Sequence, residues 1–84
     1  MTMADDVRTY CADNYIEPAR RRGDTEVVIR AGDIHQELGY RNRMPLVCAA
    51  LGTELFERMC RVERIGIEGP TNGANARFRF RLLA

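Results

Sequence analysis

From Gly32 to Cys60 the chain reads GDIHQELG, YRNR and MPLVCAALGTELFERMC: a short helix, a tight turn and a longer helix, with a two-strand pattern behind them from Val62 to Leu82. Ile34 and Leu38 stand four apart on one face of a helix expected over 32–38, with Asp33 at its positive end and Gly39 ending it. Tyr40 to Arg43 forms the turn, where Asn42 is placed to cap the next helix and Pro45 is tolerated in its first turn. Over 43–51, Met44, Val47, Cys48 and Leu51 make a buried stripe, which leaves Pro45, Leu46, Ala49 and Ala50 facing outward. Gly52 interrupts the pattern. Thr53 then caps a short helix over 53–59 expected to turn Leu55, Phe56 and Met59 inward, with Arg58 and Arg61 at the end the dipole prefers.

The flanking segments complete the architecture. A first helix spans 3–22, capped by Thr2 or Asp5, with Val7, Cys11, Tyr15 and Ala19 at four-residue steps joined by Tyr10 and Ile16. Pro18 predicts a kink or a fresh helical turn beginning at Glu17, and Gly23 a C-terminal cap after Arg20, Arg21 and Arg22. Thr25 to Arg30 is short and β-branched, a strand that lets the later hairpin grow into a three-stranded sheet. In the hairpin over 62–83, Val62, Ile65 and Ile67 break phase by one residue, which predicts a bulge near Arg64. Phe78, Phe80 and Leu82 alternate with Arg77, Arg79 and Arg81. Between the arms, Glu68 to Asn75 is an exposed Gly, Pro and Asn loop.

Eighty-four residues at 45% hydrophobic and 30% charged make one α+β domain over 1–84 with a single modest core. No apolar run approaches the roughly 20 residues of a membrane span, and MTMADDVRTY lacks the pattern of a signal peptide, so a cytoplasmic location is expected. Cys11, Cys48 and Cys60 lie within helical apolar patterns and read as reduced core residues. His35, the only histidine, has no Cys, Asp or Glu at a ligand-like spacing, so neither a metal nor another cofactor is expected. The chain has no Ser or Lys and no glycine-rich phosphate motif before a helix, a composition that argues against an enzyme. Net charge is +1, but the segment from Asp24 to Gly39 is acidic and the second half basic, and all 13 basic residues are Arg, the side chain suited to bidentate phosphate contacts.

The order helix, strand, helix, turn, helix, strand, loop, strand resembles the winged helix-turn-helix superfamily: a three-helix core with a short strand and a C-terminal hairpin wing. IRAGDIHQELGYRNRMPLVCAALG, with EGPTNGAN and FRF after it, also resembles a small domain recurrent in bacteria and archaea, alone or joined to others. That second likeness implies the fold more than an activity. The superfamily likeness implies that the helix over 43–51 recognises double-stranded DNA and that Gly69 to Asn75 is the wing. Its outward face carries no hydrogen-bonding side chain, so contact to phosphates is expected instead of base reading. Arg41, Asn42 and Arg43 stand where a helix N-terminus holds a phosphate, and Thr71, Asn72, Asn75 and Arg77 reach from the wing. Arg77, Arg79 and Arg81 are either a cationic stripe for DNA or cross-strand partners of Glu63 and Glu68. The DNA reading expects Arg41, Arg43, Arg77 and Arg79 on a common side. The alternative is a protein-interaction module or homodimer that uses Pro45, Leu46, Ala49 and Ala50.

Overall fold

The computed structural model describes residues 2–84. Helix α1 (Met3–Cys11) starts with a reciprocal cap: the Thr2 hydroxyl accepts the Asp5 N–H at 3.1 Å, and the Asp5 carboxylate accepts the Thr2 N–H at 3.2 Å. The single helix expected over 3–22 is divided. A π-helical turn, Ala12–Ile16, separates α1 from α2 (Glu17–Arg22), where Pro18 sits in the first turn. Proline has no N–H, and its ring presses on the carbonyl four residues back, so widening the turn just before it relieves the clash. Glu17 N–H accordingly reaches back five residues to the Ala12 carbonyl. The buried stripe follows that extra residue as Val7, Cys11, Ile16 and Ala19, with a five-residue step in the middle. Tyr15, displaced from the stripe, joins Tyr10 in donating to Glu37, with bonds of 2.8 to 3.0 Å.

Gly23 takes a left-handed φ of 79° and ends α2. Strand β1 (Glu26–Arg30) runs directly into α3 (Ala31–Glu37), and a turn leads to α4 (Met44–Leu51). Gly52 and Thr53 connect α4 to α5 (Glu54–Cys60), where Thr53 accepts the Phe56 N–H as expected of a cap. Strands β2 (Val62–Glu68) and β3 (Arg77–Leu82) complete an antiparallel sheet in the order β1-β3-β2. The register slips between Arg64 and Gly66, so Ile65 is the bulged residue and the phase break in the sequence is a bulge.

The sheet has one covered face. Phe78 and Phe80 enter the core with Ile29 and Val62, and the Phe56 ring meets Phe80 edge-on at 5.2 Å. Arg77, Arg79 and Arg81 alternate to the other face, where Glu26, Val28, Glu63 and Glu68 are also exposed. Two expectations about the helices are corrected. Leu55 and Met59 are 46% and 48% exposed, because α5 packs on one side only and that side is taken by Phe56 and Cys60. Ala50 is 1% exposed, because α4 is apolar all round and is enclosed on most of its circumference. Only Pro45 and Ala49 of α4 are exposed, beside half-buried Met44 and Leu46. Among the described residues, no helix is long and apolar enough to cross a membrane.

Candidate functional site

The turn before α4 is built by backbone conformation and one histidine. Gly39 and Asn42 take φ of 70° and 53°, so Asn42 supplies the left-handed corner and does not cap the helix. The cap position belongs to Arg43, and no side chain closes the helix there. His35 Nε2 accepts the Arg43 N–H at 3.1 Å, which requires the neutral ring with its proton on Nδ1. Its ring also meets Tyr40 edge-on at 6.2 Å. The lone histidine thus holds the turn from α3. No group of three or more potential metal ligands occurs among the described residues.

Above this turn the first N–H groups of α4 have no intrahelical acceptor, no acid stands in the first turn, and Arg41, Asn42 and Arg43 are exposed. Among the described residues Arg41 has no polar side-chain contact, and Arg43 reaches only the Asn42 carbonyl at 3.4 Å. Glu37, the acid at the end of α3, does not pair with Arg43; it is engaged by the two tyrosines.

The loop between β2 and β3 is exposed but moored. Ala31 N–H donates to the Ala76 carbonyl and Gly32 N–H to the Ala74 carbonyl, both at 2.9 Å. A Cβ on Gly32 would meet the Ala74 oxygen at 2.7 Å, so glycine is what allows this approach. Arg30 donates to Asn75 Oδ1 at 2.9 Å while pairing with Asp33 at 2.7 Å, which leaves the Asn75 carbonyl occupied. Thr71 and Asn72 lie at the other end, across from α4. They form one wall of an apolar cleft of about 200 Å³ whose opposite wall is Cys48, Ala49 and Gly52 and to which Ile67, 54% exposed, also belongs. Burial pushes the Cys48 thiol up, against a backbone N–H of Asn72 that works the other way, so this cysteine is not an activated nucleophile.

The basic residues therefore divide. Arg41 and Arg43 belong to the helical layer, whereas Arg77 and Arg79 stand on the opposite, uncovered face of the sheet. Arg79 lies 3.4 Å from Glu26 and 3.6 Å from Glu68, and Arg81 lies 2.9 Å from Glu63. Arg77 faces Arg30 and Glu68 in register. The common platform of four guanidiniums is not formed, because strict alternation on β3 sends every arginine away from the side its phenylalanines bury. Of the expected site, Arg41, Asn42 and Arg43 come together at the head of α4, and Thr71 and Asn72 flank the exposed Ala49 one turn beyond Pro45. His35 and Gly32, which position these two parts, carry no spacing motif that marks them.

No family model matches the chain, and no curated protein or solved structure is detectably similar to it.

Proposed function

We propose that this protein is a winged helix that binds double-stranded DNA through the phosphate backbone, with α3 and α4 as its helix-turn-helix and the loop over 69–76 as its wing. The sheet order β1-β3-β2, with β1 preceding α3 and the hairpin following α5, supports that arrangement. The observation that carries the function is the head of α4: an uncapped helix N-terminus flanked by two exposed guanidiniums, Arg41 and Arg43, which pair with no carboxylate among the described residues. A phosphate there receives the Met44 and Leu46 backbone N–H groups, since Pro45 has none and His35 holds that of Arg43, together with the positive end of the helix dipole and two charged donors. Pro45 and Ala49 present no donor or acceptor side chain to a base edge, so the binding is weakly dependent on sequence. Thr71 and Asn72 supply backbone contacts from the wing.

A salt series on duplex DNA tests this. Replacing both Arg41 and Arg43 by Ala is expected to weaken binding equally on unrelated sequences and to lower the salt slope by about 2. Arg79→Ala, which removes a side chain held between carboxylates on the far face, is expected to leave binding unchanged. No association at low ionic strength would refute the proposal. The apolar cleft between α4 and the loop favours a second reading, a protein partner that inserts a nonpolar side chain beside Ile67. In that case Ile67→Glu abolishes partner binding, and the Arg41 and Arg43 replacements do not.

A further inference from the structure

We propose that α5 is a self-recognition element, through which two copies of this chain associate helix against helix, antiparallel, about a two-fold axis. The helix is short, with Phe56 and Cys60 buried on one side. Leu55 and Met59 stand one turn apart on the other side, 46% and 48% exposed. Beside this pair runs a second exposed column, Glu54 and Arg58, also one turn apart. Among the described residues neither of these two side chains forms an ion pair.

The order of these residues selects the occupant. A dyad lying between the helices and perpendicular to both reverses the second copy along its axis but keeps each column opposite itself. Leu55 then meets Met59 of the second copy, and Glu54 meets its Arg58, so apolar groups face apolar groups and each acid faces a base, twice over. A parallel pairing about a two-fold along the helix axes would instead cross the columns and set Glu54 and Arg58 against Leu55 and Met59 of the second copy. Self-complementarity of both columns under one operation is thus a property of the antiparallel dimer alone. Antiparallel alignment also brings the negative end of each helix dipole to the positive end of the other. Seven residues bury less than a standard interface does, so the association is reversible and depends on concentration. None of the four residues lines the cleft beside α4, and the inference is independent of DNA binding.

Sedimentation velocity of the full chain over a concentration series tests it. The wild type is expected to shift from monomer towards dimer as concentration rises. Glu54→Arg and Arg58→Glu are each expected to weaken association about tenfold or more, since each places like charges opposite one another. An equimolar mixture of the two variants is expected to recover the dimer, because every reversed charge then faces its opposite. Circular dichroism establishes that both variants are folded. Should either fail to fold, Leu55→Gln with Met59→Gln gives the same reading, with loss of the dimer expected. A wild type that stays monomeric at the highest concentration reached overturns the proposal, as do reversal variants that still dimerise or a mixture of folded variants that stays monomeric.

Discussion

Arg20 donates to the carbonyls of Cys60, Arg61 and Leu83, each at 2.7 Å, so one guanidinium joins the end of α2 to the end of α5 and to the segment after β3. Two of those acceptors are carbonyls at the C-terminal end of α5, which lack intrahelical donors. Arg20→Met, which keeps the stem, is expected to cost about 2 kcal/mol in denaturant unfolding, the range for hydrogen bonds from a charged group. In the sequence Arg20, Arg21 and Arg22 look alike, three charges favoured at a helix C-terminus. Only the fold distinguishes Arg20 from Arg22, which pairs with Asp24 at 2.9 Å, and from Arg21, which is exposed. Thr53 was better marked, since a hydroxyl before ELFERM is a cap signal. Its oxygen accepts from Phe56 N–H and from Arg8 Nε, and Thr53→Ala is expected to cost about 1 kcal/mol in the same measurement.

At the scale of elements, the π turn and the moored loop show how a local rule acquires a distant consequence. The four-residue steps through Tyr15 expected of the sequence give way to a five-residue step from Cys11 to Ile16, and Pro18 marks the place where a helix must adjust. That the adjustment delivers Tyr15 to Glu37 of α3 depends on where α3 lies. Gly32 is the corresponding case for the loop, since its lack of a Cβ matters only because Ala74 passes above it. Gly32→Ala is expected to lift the loop from α3, costing about 1–3 kcal/mol through overpacking. Faster amide exchange at Ala31 and residue 32 would report it. If the loop is a wing, the same variant weakens DNA binding without touching a basic residue.

For the whole molecule, stability is expected to fall in alkali. Hydrogen bonding to Glu37 raises Tyr10 first of all, burial raises Tyr15, and burial pushes Cys11 to about 12 and Cys60 to about 11. Each group is held neutral in the folded state, so the unfolded chain releases its proton first. The stabilisation is complete below the ordinary values, 9.0 for Cys and 10.0 for Tyr, and is lost as pH rises through the window between those and the folded values. Urea midpoints measured across that range should decline, and Tyr15→Phe should flatten the decline. The core itself is small. Phe56→Ala, which empties the space against Phe80, is expected to cost about 3–5 kcal/mol, a large part of what a domain of this size has.

Most of the succession of elements follows from the sequence alone, because the Thr53 cap, the glycine stops, the bulge and the alternation on β3 are set by neighbours along the chain. The division of the first helix and the left-handed Asn42 in place of a cap do not follow from it. Phe78 and Phe80 inward and Arg77, Arg79 and Arg81 outward follow from a two-residue period, whatever the rest of the fold does. The tertiary structure decided which faces are covered. Ala50 is buried and Leu55 and Met59 are exposed because helix periodicity names an apolar side without saying how many neighbours surround it. It also decided that the arginines of the turn and those of the sheet lie on opposite sides, since no pattern along the chain reports on which side of a sheet a helix packs.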